Sequence, residues 1–131
     1  MMIHHVCIQT NRYQESLNFY TKVLGFVVVK ETQGFHGRAY NTWLESNGFY
    51  IELQTGKQYE PLKPYGKDRE GLVHLCFHVE DVVWEHQRIV DAGYHDFKLK
   101  NGKAIYRVEN GFLFKVKAPE GTEIEFRDQM I

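Results

Sequence analysis

Apolar and polar residues alternate in two segments that repeat each other, residues 5–10 (HVCIQT) and residues 74–79 (HLCFHV). Strict alternation is typical of a half-buried strand, and each segment opens with histidine and has cysteine two positions later. Apolar residues then recur at mostly three- to four-residue intervals over residues 11–24 and 81–92, and a glycine follows each stretch. These intervals predict two amphipathic helices that end at the glycines.

The repeat continues to the end of each half. An aromatic residue after the helix glycine opens another strand-like segment, Phe26 in FVVVKE and Tyr94 in YHDFKL. Each half closes with a predicted hairpin, residues 43–53 in the first and residues 113–126 in the second, with Asn-Gly or Glu-Gly in the turn region. Both halves are therefore predicted to be βαβββ modules.

The module boundaries follow from this comparison. We predict a single α+β domain in which module one covers about residues 1–57 and module two about residues 72–129. The segment at 58–71 contains prolines and mixed charges, and we interpret it as the joining loop. Each module alone would leave the apolar face of its sheet uncovered, which favours pairing of the two modules.

Composition narrows the class of protein. The 131 residues are 43% hydrophobic and carry a formal net charge of -1, which is typical of a globular protein and gives no field that would attract nucleic acid or anionic lipid. A small molecule is therefore the expected partner. The sequence shows no apolar run of bilayer length and no signal peptide pattern, so a cytoplasmic location is expected. Cys7 and Cys76 are interpreted as small core thiols.

Four ionisable residues occupy equivalent places in the repeat. His5 and His74 begin the first predicted strand of each half, and Glu52 and Glu125 lie four residues after the glycine of each closing turn. A carboxylate in the middle of a sheet is costly unless it is paired or bound to a metal. Two imidazoles and two carboxylates suit a divalent metal and leave positions open for water or substrate. The sequence therefore predicts one metal site at these four residues.

The chain resembles the vicinal oxygen chelate superfamily, which includes glyoxalase I, methylmalonyl-CoA epimerase, extradiol dioxygenases and fosfomycin- or bleomycin-resistance proteins. The segments that carry the resemblance span nearly the whole chain: SLNFYTKVLGF, YIEL, GLVHLCFHVED and APEGTEIEF. The resemblance implies that the curved mixed sheets of the two modules enclose a metal-lined cleft. Among the branches, a His, Glu, His, Glu ligand set is most similar to glyoxalase I, because epimerases typically have glutamine at the second place.

Resemblance to glyoxalase I implies a lyase or isomerase acting on the hemithioacetal of a 2-oxoaldehyde and a thiol. One nickel, zinc, cobalt or manganese ion would stabilise the ene-diolate, with Glu125 as the general base and Glu52 as its counterpart or a plain ligand. Gln9 and Gly56 stand where glutathione-using members usually carry arginine and asparagine, so the thiol is not identified. Two alternatives stay open, a methylmalonyl-CoA epimerase-like isomerase and a metal-free protein that binds a drug.

Further side chains are expected around this site. Arg38, between two glycine-punctuated positions, is the candidate for holding a carboxylate or phosphate. Trp43 and Tyr50 are predicted on the strand face of Glu52, as apolar cleft walls or as ordinary packing. His78 shares a strand face with His74 and is expected to line the cleft.

Other polar residues are predicted to lie outside the site. His4 is expected to point to the face opposite His5, and His86 is expected to be exposed to solvent. The basic segment 98–116, with Lys98, Lys100, Lys103 and Arg107, is interpreted as a solvated face. Related proteins build the cleft within one chain or by exchanging modules between two chains, and a homodimer is expected in either case.

Overall fold

The computed structural model describes residues 1–66 and 68–131, and these divide into two compact units. The first unit is Met1–Pro64 and the second is Tyr65–Ile131, so the division falls inside the segment expected to join the two modules. Each unit consists of one mixed sheet and one main helical segment. None of the helices in the described part of the chain has the length and apolarity needed to cross a membrane.

The first unit is a four-stranded sheet in the order β1-β4-β3-β2. Its strands are β1 (His5–Gln9), β2 (Val27–Thr32), β3 (Asn41–Ser46) and β4 (Phe49–Gln54). Strand β1 runs parallel to β4, and the other neighbours are antiparallel. Asn47 and Gly48 both have positive φ between β3 and β4, as the predicted Asn-Gly hairpin turn requires.

The helical segment of the first unit begins later than predicted. Helix α1 (Tyr13–Asn18) continues as a π-helical turn, Phe19–Val23, and Gly25 ends the segment with φ of 83°. Asn11, whose side chain is of a type that often caps a helix, instead exchanges two hydrogen bonds with the backbone of Leu62, at 2.9 and 2.8 Å. Its amide thus holds the end of the unit rather than the helix.

The second unit has five strands, β5-β9-β8-β6 in sheet order with β7 also paired to β8. The strands are β5 (His74–His78), β6 (Phe97–Lys98), β7 (Tyr106–Val108), β8 (Gly111–Lys117) and β9 (Glu123–Arg127). Helix α2 (Val82–Asp91) begins after Asp81, whose side chain accepts hydrogen bonds from the backbone N–H groups of Val83 and Trp84 at 2.9 Å each. The α+β class and the two sheets with few helices are confirmed.

The second unit departs from the predicted pattern at its second strand. That strand is divided into β6 and β7 by a turn at Asn101 and Gly102, which have φ of 52° and 74°. Lys100 and Lys103 close the turn with reciprocal backbone hydrogen bonds of 2.9 and 3.1 Å. An Asn-Gly pair is a strong turn signal, and here it interrupts the strand that the first unit keeps continuous.

The sheets have one apolar face and one polar face, as strand alternation dictates. Ile51 and Leu53 of β4 are fully buried, whereas Glu52 between them points to the opposite side with an exposed side-chain fraction of 12%. In β9, Ile124 and Phe126 are buried in the same way around Glu125. Each glutamate therefore stands on the polar face of its sheet.

The expectation that His86 is exposed to solvent is wrong. Its ring lies against the rings of Phe97 and Phe114, with centroid distances of 4.3 and 5.4 Å, because this side of α2 packs on the apolar face of the second sheet. Burial lowers the pKa of His86 below its ordinary value of 6.5. Its Nε2 is buried without a hydrogen-bond partner among residues 1–66 and 68–131.

This burial predicts a pH dependence of stability. Below about pH 6.5 the unfolded chain binds a proton at His86 that the folded protein excludes, so the free energy of unfolding should fall as the pH is lowered from 7 towards the folded pKa. Denaturant unfolding of the wild type and of His86→Phe, which keeps an aromatic ring between Phe97 and Phe114, measures the effect. The variant should show the shallower slope, and equal slopes would contradict the prediction.

Candidate metal centre

The first sheet brings His5 and Glu52 together. Parallel pairing of β1 with β4 sets Cys7 opposite Glu52 and His5 opposite Tyr50. His5 lies two residues before Cys7 and therefore on the same face of the sheet. Its Nε2 is 3.7 Å from Oε2 of Glu52.

The second sheet repeats this arrangement. Strand β5 is parallel to β9, with Cys76 opposite Glu125 and His74 opposite Glu123. The distance from His74 Nε2 to Glu125 Oε2 is again 3.7 Å. The exposed side-chain fractions are also similar, 34% for His74 against 35% for His5. The two sequence repeats thus have the same His–Glu geometry.

The two cysteines lie on these polar faces, and the expectation that they are core residues is wrong. Each stands two residues after its histidine, so strand alternation directs both side chains to the same face. Cys76 Sγ donates to Oε1 of Glu125 at 3.4 Å. Burial, followed by the charge of Glu52, raises the pKa of Cys7 to about 11. Burial and the hydrogen bond to Glu125 raise that of Cys76 to about 11, so both are thiols at neutral pH.

The residue paired with each glutamate on the neighbouring antiparallel strand differs between the two sheets. Trp43 of β3 is paired with Glu52, whereas Lys115 of β8 is paired with Glu125. Lys115 Nζ lies 3.1 Å from Oε2 of Glu125, and its side chain is 15% exposed. Burial alone would raise the pKa of Glu125, but hydrogen bonds from Lys115 and Cys76 outweigh it and hold the pKa below 4.5. Glu125 is therefore kept ionised, and Glu52 has no such cation at the matching position.

The second ring nitrogens of the two histidines have different surroundings. His5 Nδ1 is 2.9 Å from His4 Nδ1, and the His4 ring stacks on Tyr50 with an interplanar angle of 11°. His4 therefore lies beside His5, and the expectation that it points to the opposite face is wrong. His74 Nδ1 is buried with no partner in the described part of the chain. A metal-bound histidine usually has a partner at its other nitrogen, and His4 supplies one for His5.

Trp43 and Tyr50 lie on the face that the sequence predicts for them. The Trp43 ring meets the His5 ring edge to face, with centroids 4.8 Å apart. Tyr50 lies two residues before Glu52 on β4 and is half-buried. The two rings thus form an aromatic surface beside the first His-Glu pair, and their contact with substrate stays a prediction.

Arg38 lies at the far end of the same face. It is 8% exposed, and its Nη1 donates to Gln9 Oε1 at 3.1 Å and to the backbone carbonyl of Thr55. Gln9 stands on β1 two residues after Cys7, so the pair borders the row that contains Glu52. Binding of a substrate anion by Arg38 stays a prediction.

A steric clash explains why position 56 is a glycine, and the sequence alone does not reveal it. A Cβ at this position would lie 2.2 Å from the carbonyl oxygen of Glu60. Gly56→Asn, which restores the residue usual in glutathione-using relatives, should therefore lower the free energy of unfolding by about 1 to 3 kcal/mol. Thermal or denaturant unfolding measures this, with Gly66→Asn as the control, because a Cβ at Gly66 meets only the side chain of Arg69, at 3.6 Å. Equal stability of Gly56→Asn and wild type would refute the steric explanation.

His78 ends β5 on the same face as His74 and is exposed. Its register partner on β9 is Arg127, whose Nε is buried without a partner among residues 1–66 and 68–131. The sequence did not single out Arg127 or Lys115. Each could have been found only from the register of β9 against its neighbours.

The His-Glu pairs fit a divalent metal as partial sites. Two donors about 2.1 Å from one ion, at angles between 90° and 110°, are about 3.0 to 3.4 Å apart, so the observed 3.7 Å needs only a small side-chain movement. In the described residues, no group of three or more histidine, cysteine, aspartate or glutamate side chains is close enough to hold a metal. The structure thus brings the predicted ligands together two by two.

The chain matches known proteins over nearly its whole length. The family model for the glyoxalase/bleomycin resistance protein/dioxygenase superfamily matches residues 2–126. The uncharacterized protein YaeR of Escherichia coli K12 is 26% identical over 130 residues, covering 97% of this chain and 95% of that protein.

Two solved structures show the same fold at low sequence identity. A glyoxylase/bleomycin resistance protein/dioxygenase domain from Frankia is 18% identical, with a TM-score of 0.80 and coverage of 99% and 93% of the two chains. The fosfomycin resistance protein FosX of Listeria monocytogenes, solved with Mn(II) and sulfate, is 12% identical, with a TM-score of 0.71 and coverage of 99% and 93%. On the family match and the two-sheet architecture, the chain belongs to the glyoxalase/bleomycin resistance protein/dioxygenase superfamily.

Proposed function

We propose that this protein is a metal-dependent lyase or isomerase of the glyoxalase I type, acting on a small 2-oxo-type substrate that enters as a thiol hemithioacetal. The observation that carries the proposal is the duplicated His-Glu geometry, with the same 3.7 Å separation in both units. Two unrelated ion pairs would have no reason to share their strand register, their cysteine neighbour and their distance.

His5, Glu52, His74 and Glu125 would together hold one nickel, zinc, cobalt or manganese ion. The Mn(II) in FosX supports a divalent ion in this superfamily. When bound, the metal would polarise the substrate oxygens and stabilise the negative charge that develops as the carbon-bound proton leaves. We expect the working protein to be a cytoplasmic homodimer that takes a small molecule.

Glu125 is proposed to take the proton from the carbon that bears sulfur and oxygen. Lys115 at 3.1 Å and Cys76 at 3.4 Å hold its carboxylate ionised and oriented, so that it can accept the proton. Return of the proton to the neighbouring carbon, together with transfer of the hydroxyl proton from the first oxygen to the second, converts the 2-oxo hemithioacetal into a 2-hydroxy thioester, without any oxidant or reductant. Glu52 is proposed as the counterpart of Glu125 or as a plain ligand.

The residues around the first pair are proposed to shape the substrate site. Trp43 and Tyr50 would exclude water from one side of the substrate, because their rings cover the face beside His5 and Glu52. Arg38 would hold a carboxylate or phosphate at the end of that face, and His78 would line the corresponding end in the second unit.

Activity assays test this proposal directly. Protein supplied in turn with nickel, cobalt, manganese and zinc is incubated with methylglyoxal and a panel of thiols, and in parallel with methylmalonyl-CoA. Thioester formation with at least one thiol is the expected result. Epimerisation of methylmalonyl-CoA alone would replace the lyase assignment by the epimerase, and absence of both activities would contradict the proposed reaction.

A further inference from the structure

The polar face of the second sheet carries more cations than carboxylates. Alternation along β8 and β9 and pairing with β6 place six charged side chains on it. We name this set the cationic face, and its members are Lys98, Lys115, Lys117, Arg127, Glu123 and Glu125. Four cations thus stand against two carboxylates, an excess of two positive charges beside His74.

The cations differ in how far they are already engaged. Lys98 Nζ contacts both carboxylate oxygens of Glu123, at 2.8 and 3.1 Å. Lys115 contacts one oxygen of Glu125, and since an ammonium has three donors, others are left. Arg127 Nε is buried and has no partner in the part of the chain that the structure describes. Lys115 and Arg127 therefore retain donor capacity next to Glu125, and Lys98 is neutralised.

On the first sheet, no cation is paired with the corresponding glutamate, Glu52. Trp43 occupies the place of Lys115 beside the glutamate, and Tyr50 lies one row away. Beside its glutamate the first sheet thus offers aromatic surface, with Arg38 only at the end of the face, and the second sheet offers ammonium and guanidinium groups. This division suits a substrate with an apolar portion and a separate anionic group.

The fold directs only some of the lysines in the basic segment 98–116 to the polar face. Lys98 and Lys115 point to the polar face, whereas Lys100 lies over the Tyr106 ring at 5.1 Å and Lys103 is exposed in the turn. The interpretation of the segment as a solvated face therefore holds for Lys103 but is wrong for Lys115, whose side chain is 15% exposed. Lys115 is a half-buried cation beside Glu125.

We propose that Lys115 and Arg127 bind an anionic group, a carboxylate or a phosphoryl group, of the substrate that this protein converts. The inference rests on the proposed function, which assigns Glu125 to the metal and the proton transfer. Lys115 uses one donor on Glu125, and a substrate anion supplies an acceptor for the remaining donors through a charge-assisted hydrogen bond.

Calorimetric titration of the metal-free protein tests this inference independently of turnover. The probes are inorganic phosphate and pyruvate, at constant ionic strength set with chloride, and the tighter of the two identifies the kind of anion. Lys115→Met should weaken binding about tenfold, as expected for loss of one charge-assisted hydrogen bond. Lys103→Met makes the same charge change at an exposed position of the same unit and should bind as the wild type does.

Arg127→Gln is the second variant, because it leaves the Lys115–Glu125 contact in place, and it should also weaken binding. Wild-type affinity in both Lys115→Met and Arg127→Gln, equal loss in Lys103→Met, or failure of the wild type to bind either probe would each overturn the inference. Metal content is measured separately in the same variants. Loss of anion binding with metal content unchanged separates this inference from the proposed function.

Discussion

Replacing Glu125 by glutamine should abolish turnover while the protein keeps its metal. The amide oxygen of glutamine can still act as a metal ligand and can still accept the hydrogen bond from Lys115, which lies 3.1 Å from Glu125 in the wild type. The amide cannot take a proton. General base catalysis contributes about 10² to 10⁴ in rate, so kcat should fall by at least about a hundredfold.

Glu52→Gln is the matched control for this variant. Glu52 has the same strand register and the same distance to its histidine as Glu125, but Trp43 stands where Lys115 stands in the second sheet. If Glu125 is the base, Glu52→Gln should retain more activity than Glu125→Gln at equal metal content. Wild-type kcat in Glu125→Gln, or the reverse order of the two variants, would contradict the assignment of the base.

Replacing His74 by alanine should remove the metal. A two-imidazole, two-carboxylate site loses one of its two nitrogen donors in this variant, and the loss should exceed the ten- to hundredfold effect that is typical of residues hydrogen-bonded to a ligand. Competition with a fluorescent chelator measures the affinity for zinc or nickel directly. Activity should fall in parallel with metal content and return in part at high metal concentration.

His78→Ala is the control for the loss of an imidazole. His78 is on the same strand and the same face as His74 but is not one of the proposed ligands. This variant should bind metal as the wild type does. Equal loss of affinity in His78→Ala and His74→Ala would show that the ligand assignment is wrong, and so would full retention of metal in His74→Ala.

The sequence was sufficient for the features that repeat. His5 and His74 could be matched because each begins a strand of the same pattern, and Glu52 and Glu125 because each follows its turn glycine at the same spacing. Alternation then assigned the glutamates to the polar faces, since their neighbours are apolar. The α+β class, the helix start at Asp81 and the Asn-Gly hairpin needed no more than these local patterns.

Features that depend on contacts between distant segments could not be predicted from the sequence. Lys115 meets Glu125 because of the β8–β9 register, which the loop between the two strands fixes. Asn11 has the chemistry of an N-cap, yet the backbone of Leu62 takes both of its hydrogen bonds. His86 carries a polar ring, but its place on the inner side of α2 puts it between phenylalanines. In each case tertiary packing overrides a local preference.

The central claim is that the two His-Glu pairs form one metal site. Metal content per chain tests this claim most directly. Elemental analysis is made on the wild type, on a variant without the first pair (His5→Ala with Glu52→Ala) and on one without the second (His74→Ala with Glu125→Ala), each dialysed against nickel or zinc and then against buffer. We predict one ion per chain in the wild type and none in either variant. Two ions per chain in the wild type, or one ion retained by each variant, would show two separate sites, and a wild type that retains none would contradict the metal centre itself.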